Sequence, residues 1–171
     1  MKLGRKIMII GSGGSGKSTL SRQLSGITGL PIIHLDKEFW QPCWVATPRD
    51  EWIKKQTWFV SGEQWIIDGN YDGTMDIRID KADTIIFLDL SNIVCVLSAI
   101  KRRIKYTGKT RPDMNEGCPE KIDFEFIKWI WKFPKVSRPN ILEKLEKNKH
   151  KNIIILKSRV AVKRFLEEIS K

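Results

Sequence analysis

A glycine-rich stretch between an apolar run and an amphipathic segment constrains this chain more than any other feature. Residues 11–19 read GSGGSGKST, and four of these nine residues are glycine, so the stretch cannot contribute to a hydrophobic core. The apolar residues 7–10 before it predict a buried strand, and Leu20, Leu24 and Ile27 after it recur at helical spacing. The sequence therefore predicts a strand, a tight loop and a helix in direct succession.

The loop matches the phosphate-binding pattern G-x-x-x-x-G-K-[ST]. Glycines let backbone N–H groups approach phosphates closely, and the positive end of the following helix adds to the attraction. We expect ATP as the nucleotide, with Lys17 reaching its β- and γ-phosphates and Ser18 ligating Mg²⁺. The alternative is a flexible Gly/Ser linker, which does not usually lie between a strand and a helix. The predicted nucleotide-binding residues are Gly11, Ser12, Gly13, Gly14, Ser15, Gly16, Lys17, Ser18 and Thr19.

Length and composition bound the class of protein. The 171 residues suffice for one domain with a real core, and the absence of an 18-residue apolar run predicts no membrane span. The first residues lead straight into the predicted strand, which leaves no room for a signal peptide. Cys43, Cys95 and Cys118 have no paired spacing and favour a reduced, cytoplasmic compartment. The net charge of +11 is compatible with nucleic acid, acidic membranes or phosphorylated substrates as partners, and we expect a monomer or homodimer.

Further apolar runs predict the rest of a parallel sheet. Residues 30–36, 65–69, 84–90 and 152–156 are such runs, and segments of helical character separate them. Strands of this kind are typical of a parallel sheet covered by helices on both faces. We therefore predict an α/β, three-layer P-loop NTPase fold with a five-stranded parallel sheet and a helical or loop lid. Ligands in such folds bind at the carboxyl ends of the strands.

Three carboxylates follow predicted strands and are candidates for the chemistry. Asp68 precedes a glycine and is our candidate for holding Mg²⁺, although an aspartate in a plain turn has the same pattern. Asp89 has a similar pattern but precedes a predicted helix, whose N-terminus it can serve. Asp36 is expected near the phosphoryl acceptor, where it takes the proton of an acceptor hydroxyl, orients that hydroxyl, or simply caps the following segment.

Two further segments carry candidate contacts. Trp40 and the polar connection after Asp68 are expected near the acceptor, with Arg78 suited to an anionic group. Residues 101–140 contain a basic stretch with glycines and prolines, which predicts a mobile lid inserted in a single domain; a basic loop that contacts nucleic acid is the alternative. The candidate acceptor contacts are Asp36, Trp40, Asn70, Tyr71 and Arg78, and the candidate lid arginines are Arg102, Arg103, Arg111 and Arg138.

Several motifs together resemble a known family. The stretches GSGGSGKSTL, HLDKEFWQPCW, WIIDGNY, ADTIIFLDL, GKTRPDMNEGCPE and FIKWIWKF span residues 7 to about 140. In this combination the chain resembles the adenylate-kinase-related family known as DNA topology modulation proteins. The resemblance implies a nucleoside-monophosphate-kinase-like fold, ATP at the glycine loop, Asp68 near the metal, and an arginine-bearing lid. The chain departs from adenylate kinases where DGNYD replaces DGFPR, which argues against AMP as an ordinary acceptor.

The motifs lead to one functional hypothesis and two alternatives. The hypothesis is an ATP- and Mg²⁺-dependent phosphotransferase that acts on a nucleotide or a small hydroxyl compound, with Lys17 and the lid arginines stabilising the transferring phosphoryl group. One alternative is an ATP-dependent DNA-binding regulator that affects DNA topology, supported by the positive charge and the family name. The other is an ATPase without a separate acceptor.

Overall fold

The computed structural model describes residues 3–121 and 123–170. Short strands and longer helices alternate along them. The strands are β1 (Lys6–Gly11), β2 (Ile32–His34), β3 (Trp40–Gln41), β4 (Val45–Ala46), β5 (Trp65–Asp68), β6 (Thr84–Leu88) and β7 (Asn152–Leu156). The helices are α1 (Lys17–Thr28), α2 (Leu35–Phe39), α3 (Arg49–Ser61), α4 (Met75–Lys81), α5 (Asn92–Lys105), α6 (Phe124–Lys147) and α7 (Arg159–Ile169).

Five strands form a central sheet in the order β2-β5-β1-β6-β7. Each neighbouring pair is parallel, which confirms the predicted five-stranded parallel sheet. His34 and Ile9 both pair with Asp68, and Gly11 pairs with Leu88. The carboxyl ends of these strands therefore meet at one edge of the sheet, where the glycine-rich loop begins.

Both faces of the sheet are covered by helices, as the continuous apolar runs predict. Met8 and Ile10 point to one face and pack with side chains from α3, α4 and α6. Ile7 and Ile9 point to the other face and pack with side chains from α1, α5 and α7. Because side chains alternate along a strand, one apolar run supplies both halves of the core. The result is the predicted three-layer α/β architecture.

The structure corrects several predicted boundaries. β2 ends at His34, so Asp36 lies in the first turn of α2 and not at the end of a strand. The connection after β5, which has little periodicity in the sequence, contains the seven-residue helix α4.

Residues 123–133 are apolar nearly all the way round and predict a core helix, which the structure extends to Lys147 as α6, through Pro134 and Pro139. A proline inside a helix costs about 3 kcal/mol. The buried stripe of Ile130, Phe133, Ser137, Ile141 and Leu145 provides packing that offsets this cost. None of the helices in the described ranges is both long and apolar enough to cross a membrane.

Candidate active site

The glycine-rich loop joins β1 to α1 in a conformation that requires glycine at Gly14. Gly14 has a φ of +73°, and a Cβ built there would collide with the backbone oxygen of Cys95 on α5. The side chain of Lys17 folds back over the loop and donates to the carbonyl oxygens of Gly11 and Ser12, each at 2.9 Å. Burial lowers the pKa of Lys17, and the carboxylates of Asp36 and Asp68 oppose that shift. The loop thus presents a cation and an open backbone at the sheet edge.

The loop also contains polar atoms that suit a phosphate ligand. The hydroxyls of Ser12 and Ser15 are buried and have no hydrogen-bond partner among the described residues. Arg159, at the start of α7, donates to the carbonyl oxygen of Ser15 at 2.8 Å and of Gly14 at 3.2 Å. Unpaired buried donors and a helix N-terminus at one place fit the phosphate groups of ATP. Arg159 lies in the loop after the last predicted strand, residues 157–160, where the sequence leads us to expect the adenine pocket.

One cavity of about 750 Å³ connects the loop with the expected acceptor side. Lys17 and Ser18 line its phosphate side, and the residues after β2 and β5, among them Asp36, Asn70 and Tyr71, line what we call its acceptor end. The predicted site residues that line this cavity are Gly13, Gly14, Gly16, Lys17, Ser18, Thr19, Asp36, Trp40, Asn70, Tyr71, Arg102 and Arg111. A nucleotide and a second substrate can therefore bind side by side in one cavity.

The acceptor end of the cavity is organised around Asp36. Its Oδ1 accepts a hydrogen bond from the hydroxyl of Tyr71 at 2.9 Å. Burial and the Asp36 carboxylate raise the pKa of Tyr71 well above its usual range, so this hydroxyl stays a donor. Next to it, Asn70 accepts from the backbone N–H of Gly11 at 2.9 Å, while its buried Nδ2 has no partner among the described residues. Residues 69–71, which we call the acceptor loop, are thus hydrogen-bonded directly to the glycine-rich loop of residues 11–19, which we call the phosphate loop.

The predicted metal ligand Asp68 lies behind the cavity. It is 3% exposed, and its Oδ2 accepts from Ser21 at 2.5 Å and contacts Nδ1 of His34 at 2.8 Å. The carboxylate that faces Ser18 inside the cavity belongs to Asp113. Burial alone would raise the pKa of Asp113, but the Arg111 guanidinium and the Ser18 hydroxyl hold it below its usual value.

A magnesium ion at this place would depend mainly on nucleotide phosphates. The described residues contain no cluster of three or more His, Cys, Asp or Glu side chains that could hold a metal by itself. Mg²⁺ commonly keeps several waters and uses one or two protein oxygens together with substrate phosphates. Ser18 with Asp113 fits that donor set, whereas Asp68 does not line the cavity and is bonded to Ser21 and His34.

The lid loop, which we define as residues 106–121, covers the cavity from the side of α5. Glu120 is 2% exposed and is the centre of its ion pairs. One carboxylate oxygen of Glu120 accepts from Arg102 at 2.9 Å, and the other lies 2.5 Å from Nε of Arg111. Arg111 also pairs with Asp113 at 2.9 Å. Glu120 and Asp113 thus pair with Arg102 and Arg111, two of the four arginines that the sequence predicts to contact phosphate.

Three predicted site arginines do not line the cavity. Arg103 donates to the backbone oxygen of Glu120. Arg138 forms two hydrogen bonds to the carboxylate of Asp89, at 2.7 and 2.9 Å, so it anchors α6 to the end of β6. Arg78 is fully buried and donates to backbone carbonyls of residues 69–71. Arg78 and Arg138 are thus paired with protein groups and lie outside the cavity lining, and their predicted contacts with acceptor and phosphate remain predictions.

The lid loop is also attached to the hairpin formed by β3 and β4, residues 40–46. Asn115 donates to the carbonyl of Trp40 at 3.3 Å, and the N–H of Cys43 donates to Gly117 at 3.0 Å. Nε1 of Trp44 donates to the carbonyl of Pro119 at 3.2 Å. The cavity lining therefore includes Trp44, Asp113 and Glu120. Of the lining residues in this region, the sequence indicated Arg111 but none of these three.

Comparisons with known proteins identify the fold but no family. No protein-family model matches the chain, and no curated protein matches it. Among solved structures, a shikimate kinase from Acinetobacter baumannii in complex with shikimate aligns with a TM-score of 0.61 and 15% identity over 95% of this chain and 89% of its own. A gluconokinase from Sinorhizobium meliloti 1021 aligns with a TM-score of 0.54 and 14% identity over 99% of this chain and 97% of its own.

The chain therefore has the fold of the P-loop kinases. At such low identity the likeness concerns the fold alone. The relation to the DNA topology modulation proteins stays an expectation from the sequence motifs.

Proposed function

We propose that the protein is an ATP-dependent kinase that transfers the γ-phosphoryl group to a hydroxyl of a nucleotide or small-molecule acceptor. The observation that carries the proposal is the single cavity with the phosphate loop at one end and the Asp36–Tyr71 pair at the other. Both P-loop kinase structures described above span nearly this whole chain, which supports the reaction class. Mg²⁺-ATP, when bound, supplies the phosphoryl group and the charge neutralisation of its own phosphates.

The residues at the phosphate end would stabilise the charge that develops during transfer. Lys17 is released from two loop carbonyls to contact the β- and γ-phosphates. Arg102 and Arg111 exchange their carboxylate partners for phosphate oxygens, which are acceptors of the same geometry. Ser18 would hold the metal, with Asp113 beside it. Positioning and electrostatics of this kind account for most of the catalysis in phosphoryl transfer.

The residues at the other end would prepare the acceptor. Asp36 accepts a hydrogen bond from the acceptor hydroxyl and takes its proton as the oxygen bonds to phosphorus and ADP leaves. Tyr71 occupies one oxygen of Asp36 and so directs the other oxygen toward the cavity. Asn70 accepts a hydrogen bond from the backbone of Gly11 and so fixes the position of the acceptor end relative to the phosphate loop.

The proposal is tested by transfer of label from ATP carrying a radioactive γ-phosphate, with Mg²⁺ and a panel of nucleosides, nucleoside monophosphates, sugar acids and polyols. We expect label on one class of acceptor, and a decrease of at least ~100-fold in kcat for Lys17→Ala and Asp36→Asn. Lys163→Ala, on the exposed face of α7, is the matched control and should keep full activity.

Other results would select the alternatives. Label released only as inorganic phosphate for every acceptor would indicate an ATPase without a separate acceptor. ATP binding without any turnover, together with DNA binding that weakens steeply with salt, would favour the DNA-linked regulator. Either result would refute the kinase proposal.

A further inference from the structure

The acceptor end of the cavity has an aromatic wall that suggests the chemical class of the acceptor. We infer that the acceptor is an uncharged nucleoside, whose flat base lies against Trp40 and Trp44 and whose hydroxyl faces Asp36. This inference rests on the proposed kinase function and makes it more specific. It depends on three independent features of the structure: ring surface, backbone strain and the pairing of charges.

The ring surface is provided by two tryptophans that line the cavity without being fully buried. The rings of Trp40 and Trp44 are 5.5 Å apart and lie edge to face. Behind them, Phe39 contacts Trp40, Trp52 and Tyr71 with ring centroids 4.9 to 5.0 Å apart. Phe39 supports the ring of Trp40, Trp40 in turn contacts Trp44, and both tryptophans line the cavity. An aromatic surface of this kind binds planar rings by stacking.

Backbone strain is concentrated at the same end of the cavity. Among the described residues, the non-glycine positions with positive φ are Cys43, Trp44 and Tyr71, at 62°, 62° and 44°. A bulky residue in this region of φ is an outlier, and strain of this kind costs about 1–3 kcal/mol per residue. It persists at ligand clamps because the surroundings hold the residue in place. Trp44 is held by its bond to Pro119 and by the Lys121 ammonium, 4.7 Å from the ring centroid.

The charges at this end favour an acceptor without its own phosphate. Arg78 donates its hydrogen bonds to backbone carbonyls, and Arg111 forms ion pairs with two carboxylates. Arg22 lies 3.8 Å from Asp113. A phosphate on the acceptor would compete with the phosphates of ATP for Arg111 and would be repelled by the carboxylates of Asp36 and Asp113. A neutral molecule that carries a ring and a hydroxyl group avoids this competition and this repulsion. The unpaired Nδ2 of Asn70 can donate a hydrogen bond to one of its oxygens.

The test compares acceptor classes and then removes the aromatic wall. Steady-state transfer of γ-phosphate label is measured with nucleosides, nucleoside monophosphates, sugar acids and polyols, using the full chain with Mg²⁺-ATP. We expect the highest kcat/KM with a nucleoside. Trp44→Leu should raise the nucleoside KM by roughly 10- to 100-fold and leave the affinity for ATP unchanged. Trp58→Leu, a tryptophan on α3 that is 72% exposed and outside the cavity, is the matched control and should leave KM unchanged.

A second measurement separates the inference from the proposed function. Calorimetric titration of the protein with the same nucleosides in the absence of ATP reports binding without turnover. Trp40→Leu serves as a second variant in case Trp44→Leu unfolds, which circular dichroism would show. Nucleoside binding that depends on Trp40 or Trp44, without any label transfer, would support the subsite and refute the kinase. Efficient transfer to a sugar acid, a polyol or a monophosphate in preference to nucleosides, or no nucleoside binding at all, would overturn the inference.

Discussion

A buried arginine holds the acceptor loop, and replacing it should destabilise the protein strongly. Arg78 on α4 has no exposed surface, and its guanidinium donates to the carbonyl oxygens of residues 69–71, among them Gly69 at 2.7 Å and Tyr71 at 3.2 Å. Burial lowers the pKa of Arg78, which shows that the cation is held at a cost. The bonds to the backbone carbonyls offset part of that cost. The loop they support carries Asn70 and Tyr71 into the cavity.

The size of the effect can be worked from these contacts. Arg78→Met keeps much of the side-chain volume but removes every hydrogen bond to the loop. A hydrogen bond from a charged donor contributes about 1.5–3 kcal/mol, and a buried carbonyl left without a partner costs about 1–3 kcal/mol. Part of this loss is offset because methionine carries no charge to desolvate. We therefore expect the free energy of unfolding to fall by about 3 kcal/mol.

Urea unfolding followed by circular dichroism measures this change. With an m-value of about 2 kcal/mol/M for a chain of this size, the midpoint should fall by about 1.5 M. Arg164→Met is the matched control, since Arg164 is exposed on α7, and its free energy of unfolding should change by less than about 0.5 kcal/mol. A loss below about 1 kcal/mol for Arg78→Met would refute the reasoning, because it would mean that the loop carbonyls do not depend on the guanidinium.

Two further variants test the phosphate loop and the lid. Gly14→Ala forces a Cβ against the backbone of Cys95 at a φ of +73° and should weaken ATP binding at least ~10-fold in calorimetry, whereas Gly26→Ala in α1, where a Cβ meets nothing within 4 Å, should leave it unchanged. Equal affinities would contradict the proposed loop geometry. Glu120→Gln removes the charge that pairs with two arginines and should reduce hydrogen-exchange protection of the lid loop at least ~10-fold while β1 stays protected. Glu143→Gln, exposed on α6, is its control, and unchanged protection in the lid loop would show that Glu120 does not hold it.

Local sequence patterns predicted the parts of the protein that depend on neighbouring residues. The strand, loop and helix around residues 11–19 form one contiguous unit, and β1 and α1 occur there. The apolar runs predicted the parallel sheet because each strand must be covered on both faces. Boundaries were less accurate where packing competes with local preference, as in α6, which continues through two prolines that usually end a helix.

The pairing of charges was decided by the tertiary structure. Arg138 meets Asp89 across 49 positions of the sequence, and Asp68 meets His34 across 34. Local sequence does not distinguish an arginine that faces a cavity from one that donates to buried carbonyls, because the difference depends on residues that are distant in the sequence. For the same reason the sequence indicated Asp68 as the carboxylate near Ser18 and did not indicate Asp113, which lines the cavity together with Ser18. The sequence by itself determined the glycine-rich loop, because consecutive residues form it, and only the folded chain decided which side chains surround the proposed acceptor site.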